Sequence, residues 1–325
     1  MSRNIVLAAL AIFYFINLPA VQAQQSKKIH RVGILRAGAP PDRTLDLFLQ
    51  ALRELGYVEG KNIKIETRFA EGNQKRSAEL AKELVQLNVD ALFTSGTRAI
   101  LDLKDATKTI PIVMVSTSDP IGTGMVASLA RPGGNLTGMS LLASDLWPKR
   151  LEILKEILPK LSKAAMVWNK SNAGMSLEAK ATLDVSDSLG ITLQDRGMKD
   201  PSELEMAFAA VTKDRPDGIL ALMDLSLSSH RKRILEFLAT NRIPAIFEDT
   251  EWVEAGGLIS YGPNREDVIR RAAVHMDKIL KGTKPADIPV EQPMKFDLVI
   301  NLKSAKQIGL TIPQWTLMKA DRVIR

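Results

Sequence analysis

Ile63–Phe69 (IKIETRF), Ala78–Leu87 (AELAKELVQL), Val89–Thr94 (VDALFT), Ala99–Ala106 (AILDLKDA) and Ile110–Val115 (IPIVMV) follow one another with only short breaks between them. The first, third and fifth are apolar, β-branched runs of strand length. The second and fourth carry apolar residues three and four apart. A period of two marks a strand and a period of 3.6 a helix. Strand, helix and strand at this spacing predict βαβ units, hence a parallel sheet covered by helices on both faces. Upstream, a strand over Ile29–Leu35 and a helix over Leu45–Leu55 extend the pattern. Downstream the rhythm starts again. Strands are predicted at Ala164–Trp168, Ile191–Gln194, Gly218–Met223 and Ala245–Phe247, with helices at Leu146–Leu158, Leu177–Leu189, Leu204–Thr212 and Arg231–Thr240. The repeat is one of architecture, not of letters.

Three breaks interrupt the rhythm. Arg131-Pro132-Gly133-Gly134-Asn135 is a turn cluster, and Gly256-Gly257 to Gly262-Pro263 is a second glycine cluster. Gly282 and Lys284-Pro285 follow a predicted helix over Val268–Leu280 and precede a predicted strand over Phe296–Asn301. Three breaks predict three crossings between two lobes. The first lobe would comprise 29–141 plus about 264–287, the second 142–263 plus about 288–325. A chain of 325 residues exceeds one ordinary domain, which agrees with two lobes. Lobes joined in this way form a hinge that closes on ligands.

The amino-terminal residues set the expected compartment. Arg3 supplies a basic start, Ile5 to Leu18 an uncharged and mostly apolar run, and Ala20-Val21-Gln22-Ala23 a small-residue segment. That is the pattern of a secretory signal peptide, cleaved after Ala23. The apolar run is shorter than the ~20 residues a membrane span needs. Cleavage would remove Arg3 alone and leave 43 basic against 37 acidic side chains, net +6. This excess is spread along the chain without a dense basic run, so nucleic acid is not an expected partner. The expected location is the periplasm and the expected state a monomer.

Open parallel α/β sheets bind ligands outside the carboxyl ends of their strands. Here those ends carry Arg36-Ala37-Gly38, Ser95-Gly96-Thr97, Ser116-Thr117-Ser118-Asp119, Asn169-Lys170-Ser171, Asp224 and Glu248-Asp249. Hydroxyl side chains and free N–H groups at helix starts suit a carboxylate or another anion. Acidic residues on the other lobe suit an ammonium, and the two together outline a zwitterion such as an amino acid. Ser95, Thr97, Ser116 and Thr117 are the candidates for the anionic group, and Asp224 and Asp249 for the cationic one. Ala37, Gly38, Gly96 and Asn169 complete the expected ligand-binding set. The competing reading of each residue alone is a helix cap or a turn former.

Catalytic patterns were sought among the same residues. The chain has no cysteine, so it has neither a disulfide framework nor a thiolate nucleophile. His30, His230 and His275 lack metal-ligand spacing. There is no G-x-S-x-G elbow and no G-x-x-x-x-G-K-[ST] loop. Gly122-Thr123-Gly124-Met125-Val126-Ala127 fits the dinucleotide pattern G-x-G-x-x-A. Asp119-Pro120 separates it from the preceding strand, however, and it follows the fourth strand instead of the first. No enzyme activity, cofactor or metal is expected.

Ser118-Asp119-Pro120-Ile121-Gly122 followed by Ser128-Leu129-Ala130-Arg131-Pro132-Gly133-Gly134-Asn135-Leu136-Thr137-Gly138 closely resembles the central motif of one family. This is the ABC-transporter substrate-binding family that includes the tryptophan-type binding proteins. Lys149-Arg150-Leu151-Glu152 with Leu158-Pro159, Gly256-Gly257-Leu258 with Tyr261-Gly262, and the run Lys284 to Glu291 add to the resemblance. Phe296 to Lys303 completes it, and the similarity extends from about Arg31 to Pro313. It implies a type I periplasmic binding fold, with two Rossmann-like lobes of parallel sheet joined by a three-crossing hinge. It also implies delivery of a small-molecule ligand to an ABC permease in the inner membrane. With the strand-end chemistry, the expected function is a solute-binding protein that closes on an amino acid or related zwitterion. The alternative is an extracytoplasmic ligand-sensing protein for a receptor, which would use the same fold and site.

Overall fold

The computed structural model describes residues 28–116, 119–141, 143–223 and 225–325. The signal segment 1–23 with its cleavage point, and the candidates Thr117 and Asp224, lie outside the described residues.

The first sheet is formed by β1 (His30–Arg36), β2 (Ile63–Phe69), β3 (Ala91–Ser95), β4 (Ile112–Ser116) and β5 (Leu136–Ser140). Between them run α1 (Arg43–Glu54), α2 (Gln74–Gln86) and α3 (Thr97–Ala106). All pairs are parallel, in the order β2-β1-β3-β4-β5. β3 and β4 are buried throughout. That explains their unbroken apolar sequences, since a parallel sheet with helices on both faces leaves no strand side for water. One face packs Val32, Ile34, Phe93 and Val113 against Phe48 and Leu52 of α1. The other packs Leu35, Leu92 and Met114 against Leu84 of α2 and Ile100 and Leu103 of α3.

The second sheet repeats the plan. α4 (Ala143–Ile157) leads into β6 (Lys163–Asn169), followed by α5 (Ala173–Ser186), β7 (Thr192–Met198), α6 (Leu204–Asp214) and β8 (Gly218–Ala221). A short α7 (Leu225–Ser228), α8 (Arg231–Thr240), β9 (Ala245–Phe247), α9 (Thr250–Glu254) and β10 (Ile259–Pro263) complete the unit. The order β7-β6-β8-β9-β10 is that of the first sheet. α10 (Arg265–Leu280) then returns to the first lobe, where Val268, Ile269 and Met276 join its core. β11 (Phe296–Asn301) pairs antiparallel with β10, and beyond it come α11 (Leu302–Gln307), α12 (Gln314–Lys319) and the edge strand β12 (Arg322–Ile324).

The chain passes between the lobes three times, and the glycine- and proline-rich clusters themselves lie inside the lobes or beside the crossings. The Arg131–Asn135 turn stays inside the first lobe and feeds β5, so the crossing follows Ser140. The second glycine cluster contains β10, and the crossing comes at Pro263-Asn264. Asn264 caps α10 by accepting from Asp267 N at 2.9 Å. It also donates to Asp297 at 2.9 Å. After the Gly282–Pro285 turn, Ile288 and Val290 still pack in the first lobe's cores. Glu291 N donates to Gly138 O at 2.9 Å and Ser140 N donates to Glu291 O at 2.9 Å, stitching the first and third crossings together.

β5 was not anticipated, and Gly138 is the reason. Its φ is +136°, and a Cβ built there would stand 2.1 Å from the Met114 carbonyl oxygen. Only glycine allows β5 to close on β4 at that point.

Candidate functional site

The order 2-1-3-4-5 has its topological switch point between the first and third strands, and ligands of such sheets bind outside the carboxyl ends there. In the first lobe those ends are Arg36 and Ser95; in the second, Asn169 and Ala221. The two sets of ends face one another. Arg43 and Thr44, just past β1, meet residues just past β9. Arg43 pairs with Glu254 at 3.0 Å. Arg265 at the start of α10 donates to Thr44 Oγ1 at 2.8 Å and also to the Asp249 carboxylate. The loop past β4 meets α5, since a Cβ built on Gly122 would lie 3.1 Å from Leu177 Cδ1.

On the first lobe the strand ends are tightly organised. Arg36 is 1 % exposed; it donates from Nε and Nη2 to Asp42 at 2.6 and 3.1 Å and from Nη1 to Ser95 Oγ at 2.5 Å. Asp42 in turn caps α1, accepting from Leu45 N at 3.0 Å. Gly96, with φ +88°, turns the chain from β3 into α3 and donates its N–H to Val115 O at 3.1 Å. Thr97 is the first residue of α3 and is buried. Ser116 is buried at the end of β4, its hydroxyl 3.7 Å from Met125 Sδ. Ala37 and Gly38 lie past β1, their carbonyl oxygens accepting from Gly72 N and Glu71 N at 2.8 and 3.1 Å. Ser95, Gly96, Thr97 and Ser116 therefore stand together on adjacent strand ends, with Ala37 and Gly38 beside them.

On the second lobe Asn169 ends β6, and its side chain accepts from Ser171 N at 2.9 Å. Asp249 is a helix cap and an ion-pair partner at once. It accepts from Glu251 N at 2.9 Å and from Arg265 of the other lobe. Burial, and after it the Arg36 cation, pull the Arg265 guanidinium down to about 10, which leaves it charged at neutral pH.

Two buried charged residues were absent from the predicted set. Arg150 on α4 and Glu178 on α5 are each 2 % exposed. Arg150 Nε donates to Tyr261 O at 2.6 Å, while its Nη1 and Glu178 Oε1 have no hydrogen-bond partner. Burial pushes the Glu178 carboxyl well above the usual carboxylate range, and Glu248 and Asp119 push in the same direction against Arg150. The sequence does carry a signal for them. Arg150 lies three residues after the buried Trp147, and Glu178 lies between the buried Met175 and Thr182, so each interrupts an inward-facing stripe. Gly262 is needed beside them, because a Cβ there would stand 2.0 Å from Glu248 O and 3.4 Å from Arg150 Nη2.

A hollow of about 310 Å³ lies elsewhere, among Leu235, Leu238, Ile243, Leu258 and Ile308. It carries no charged side chain and touches neither switch point. No helix among the described residues is long and apolar enough to cross a membrane.

Comparison with known proteins agrees with this geometry. A tyrosine-binding protein of Clostridioides difficile (strain R20291) is 27 % identical over 288 residues, 88 % of this chain and 82 % of that protein. The ABC domain from Streptococcus pneumonia in complex with L-Trp superimposes with a TM-score of 0.83 at 28 % identity, covering 91 % of this chain and 99 % of that one. A ligand-free, open substrate binding protein with adhesive properties from Clostridium difficile gives 0.68 at 25 % identity, covering 91 % and 99 %. The sequence profile of ABC transporter substrate binding proteins matches residues 39–324. With the two-lobed architecture and the facing strand ends, that match places the chain in the ABC transporter substrate binding protein family.

Proposed function

We propose that the chain is the extracytoplasmic solute-binding component of an ABC importer, and that it closes on an amino acid between its lobes. The observation that carries this is the opposition of the two switch points. A hydroxyl-rich set on the first lobe (Ser95, Thr97 and Ser116) faces the strand ends of the second lobe across one crevice. At the start of α3 the hydroxyl side chains and the positive partial charge of the helix N-terminus suit a carboxylate. Ala37, Gly38 and Asn169 border the crevice. Two relatives at 27–28 % identity, a tyrosine-binding protein and a domain solved in complex with L-Trp, favour an aromatic amino acid. The signal peptide would be removed after Ala23, and the mature monomer would work in the periplasm with a membrane permease.

The test is binding itself. Protein purified without denaturation is titrated with each of the twenty amino acids, and its melting temperature is followed. A ligand that binds only the folded form stabilises it by about 2.7 kcal/mol at a hundredfold excess over Kd. L-tyrosine or L-tryptophan should raise the melting temperature and the others should do so less. A flat response to all twenty would overturn the amino-acid reading.

A further inference from the structure

Arg150 and Glu178 are buried where the two lobes meet. α4 and α5 cover the same face of the second sheet, to which Trp147, Met175 and Ile246 also belong. Tyr261 on β10 packs on that face, and strand alternation continues from Ile246 to Glu248. From the first lobe the Asp119–Gly122 turn reaches Leu177, the residue before Glu178. Glu248 and Asp119 both act on the Glu178 carboxyl here, against the guanidinium of Arg150, while Glu248 also acts on Arg265. Asp119 accepts from Ile121 N at 2.9 Å, and Glu248 has interactions of its own. Glu178 is the acid whose buried oxygen lacks a partner.

A buried carboxyl oxygen without a hydrogen bond is costly. A bare carboxyl oxygen with two further acids acting on it suits a small cation. We propose that Glu178 is the seat of the ligand's ammonium group, with Glu248 and Asp119 strengthening the field and Arg150 offsetting part of it when no ligand is bound. The proposal rests on the amino-acid reading above and replaces Asp249, already engaged by Arg265 and by the cap of α9, as the ammonium's partner.

A proton balance follows. In the empty protein, burial with Glu248 and Asp119 favours the protonated form of Glu178, with Arg150 the opposing charge and Tyr261 beside it. An arriving ammonium favours the carboxylate, so the proton leaves Glu178 for solvent as the ion pair forms. Affinity should therefore rise with pH until Glu178 ionises unaided, and level off above that.

Isothermal titration tests this with L-tyrosine and L-tryptophan, and with 3-(4-hydroxyphenyl)propanoate and indole-3-propanoate, which lack the amine. Two buffers of different ionisation enthalpy count protons. The wild-type protein should bind the amino acids with proton release and the amine-free acids far more weakly. Glu178→Gln should weaken amino-acid binding by roughly a hundredfold or more, as expected for a buried charge that loses its partner, and abolish the proton release. The variant should bind the amine-free acids as the wild type does, and an unreduced melting temperature would show that it folds. Equal amino-acid affinity in wild type and Glu178→Gln would sink the seat and leave the amino-acid reading intact. Amino acids and amine-free acids binding alike to the wild type would also sink it. A wild type that binds none of the four probes would instead overturn the amino-acid reading beneath it.

Discussion

Glu178 sets the stability of the empty protein as well as its ligand chemistry. Burial, then Glu248 and Asp119, hold its folded-state pKa well above the ordinary 4.5. Between those two values the folded chain keeps a proton that the unfolded chain has released. Stability contributed by such a group falls as pH rises through that window. Glutamine reproduces the protonated shape without the titration. Ligand-free Glu178→Gln and wild type should therefore melt together near pH 4.5, and the variant should become the more stable as pH rises towards 8. Melting curves at half-unit steps measure this directly. Parallel curves over the whole range would show that the carboxyl is not held neutral in the fold.

At the scale of elements, β5 carries the most specific requirement. Gly138 sits at φ +136° with the Met114 carbonyl 2.1 Å from where a Cβ would be. Gly138→Ala therefore combines backbone strain with overpacking, together about 2–5 kcal/mol. Urea unfolding should show a lower midpoint by that amount, and a loss below about 0.5 kcal/mol would mean that β5 shifts freely. The same glycine explains why the strand was not legible. Leu136-Thr137-Gly138-Met139-Ser140 follows a Pro-Gly-Gly turn, and a glycine in the middle weakens a strand pattern whose real cause is close backbone approach. β10 was hidden in the same way by Gly262-Pro263, and β12 is three residues long. The other strands and the long helices were legible because each buries a continuous or periodic apolar surface. Ser95, Thr97 and Ser116 were legible by position, since parallel sheets direct their carboxyl ends to one side. Arg150 and Glu178 were not, because a charge on a helix reads as solvent-facing unless the partner element that buries it is known.

At the scale of the whole molecule, the lobes are joined by ion pairs as well as by the three strands of the hinge. Arg43–Glu254 and Arg265–Asp249 both cross the crevice, and their side chains are between 15 % and 52 % exposed. Partly exposed pairs contribute at most about 1 kcal/mol each. Together they bias the open–closed equilibrium by about 1–2 kcal/mol, a five- to thirtyfold shift. That is enough to populate a closed form without ligand, but far less than a ligand with strong preference for that form supplies. Asp249→Asn combined with Glu254→Gln removes both pairs, and asparagine retains an N-cap for α9. Scattering of the ligand-free double variant should then give a larger radius of gyration than wild type, and added salt should enlarge the wild type in the same direction by screening. With saturating L-tyrosine or L-tryptophan both proteins should reach the same compact value. Apparent affinity should fall by no more than about thirtyfold, because it scales with the fraction already competent to bind. A double variant as compact as wild type at low salt, without ligand, would show that packing at the hinge holds the lobes together and that the ion pairs are bystanders.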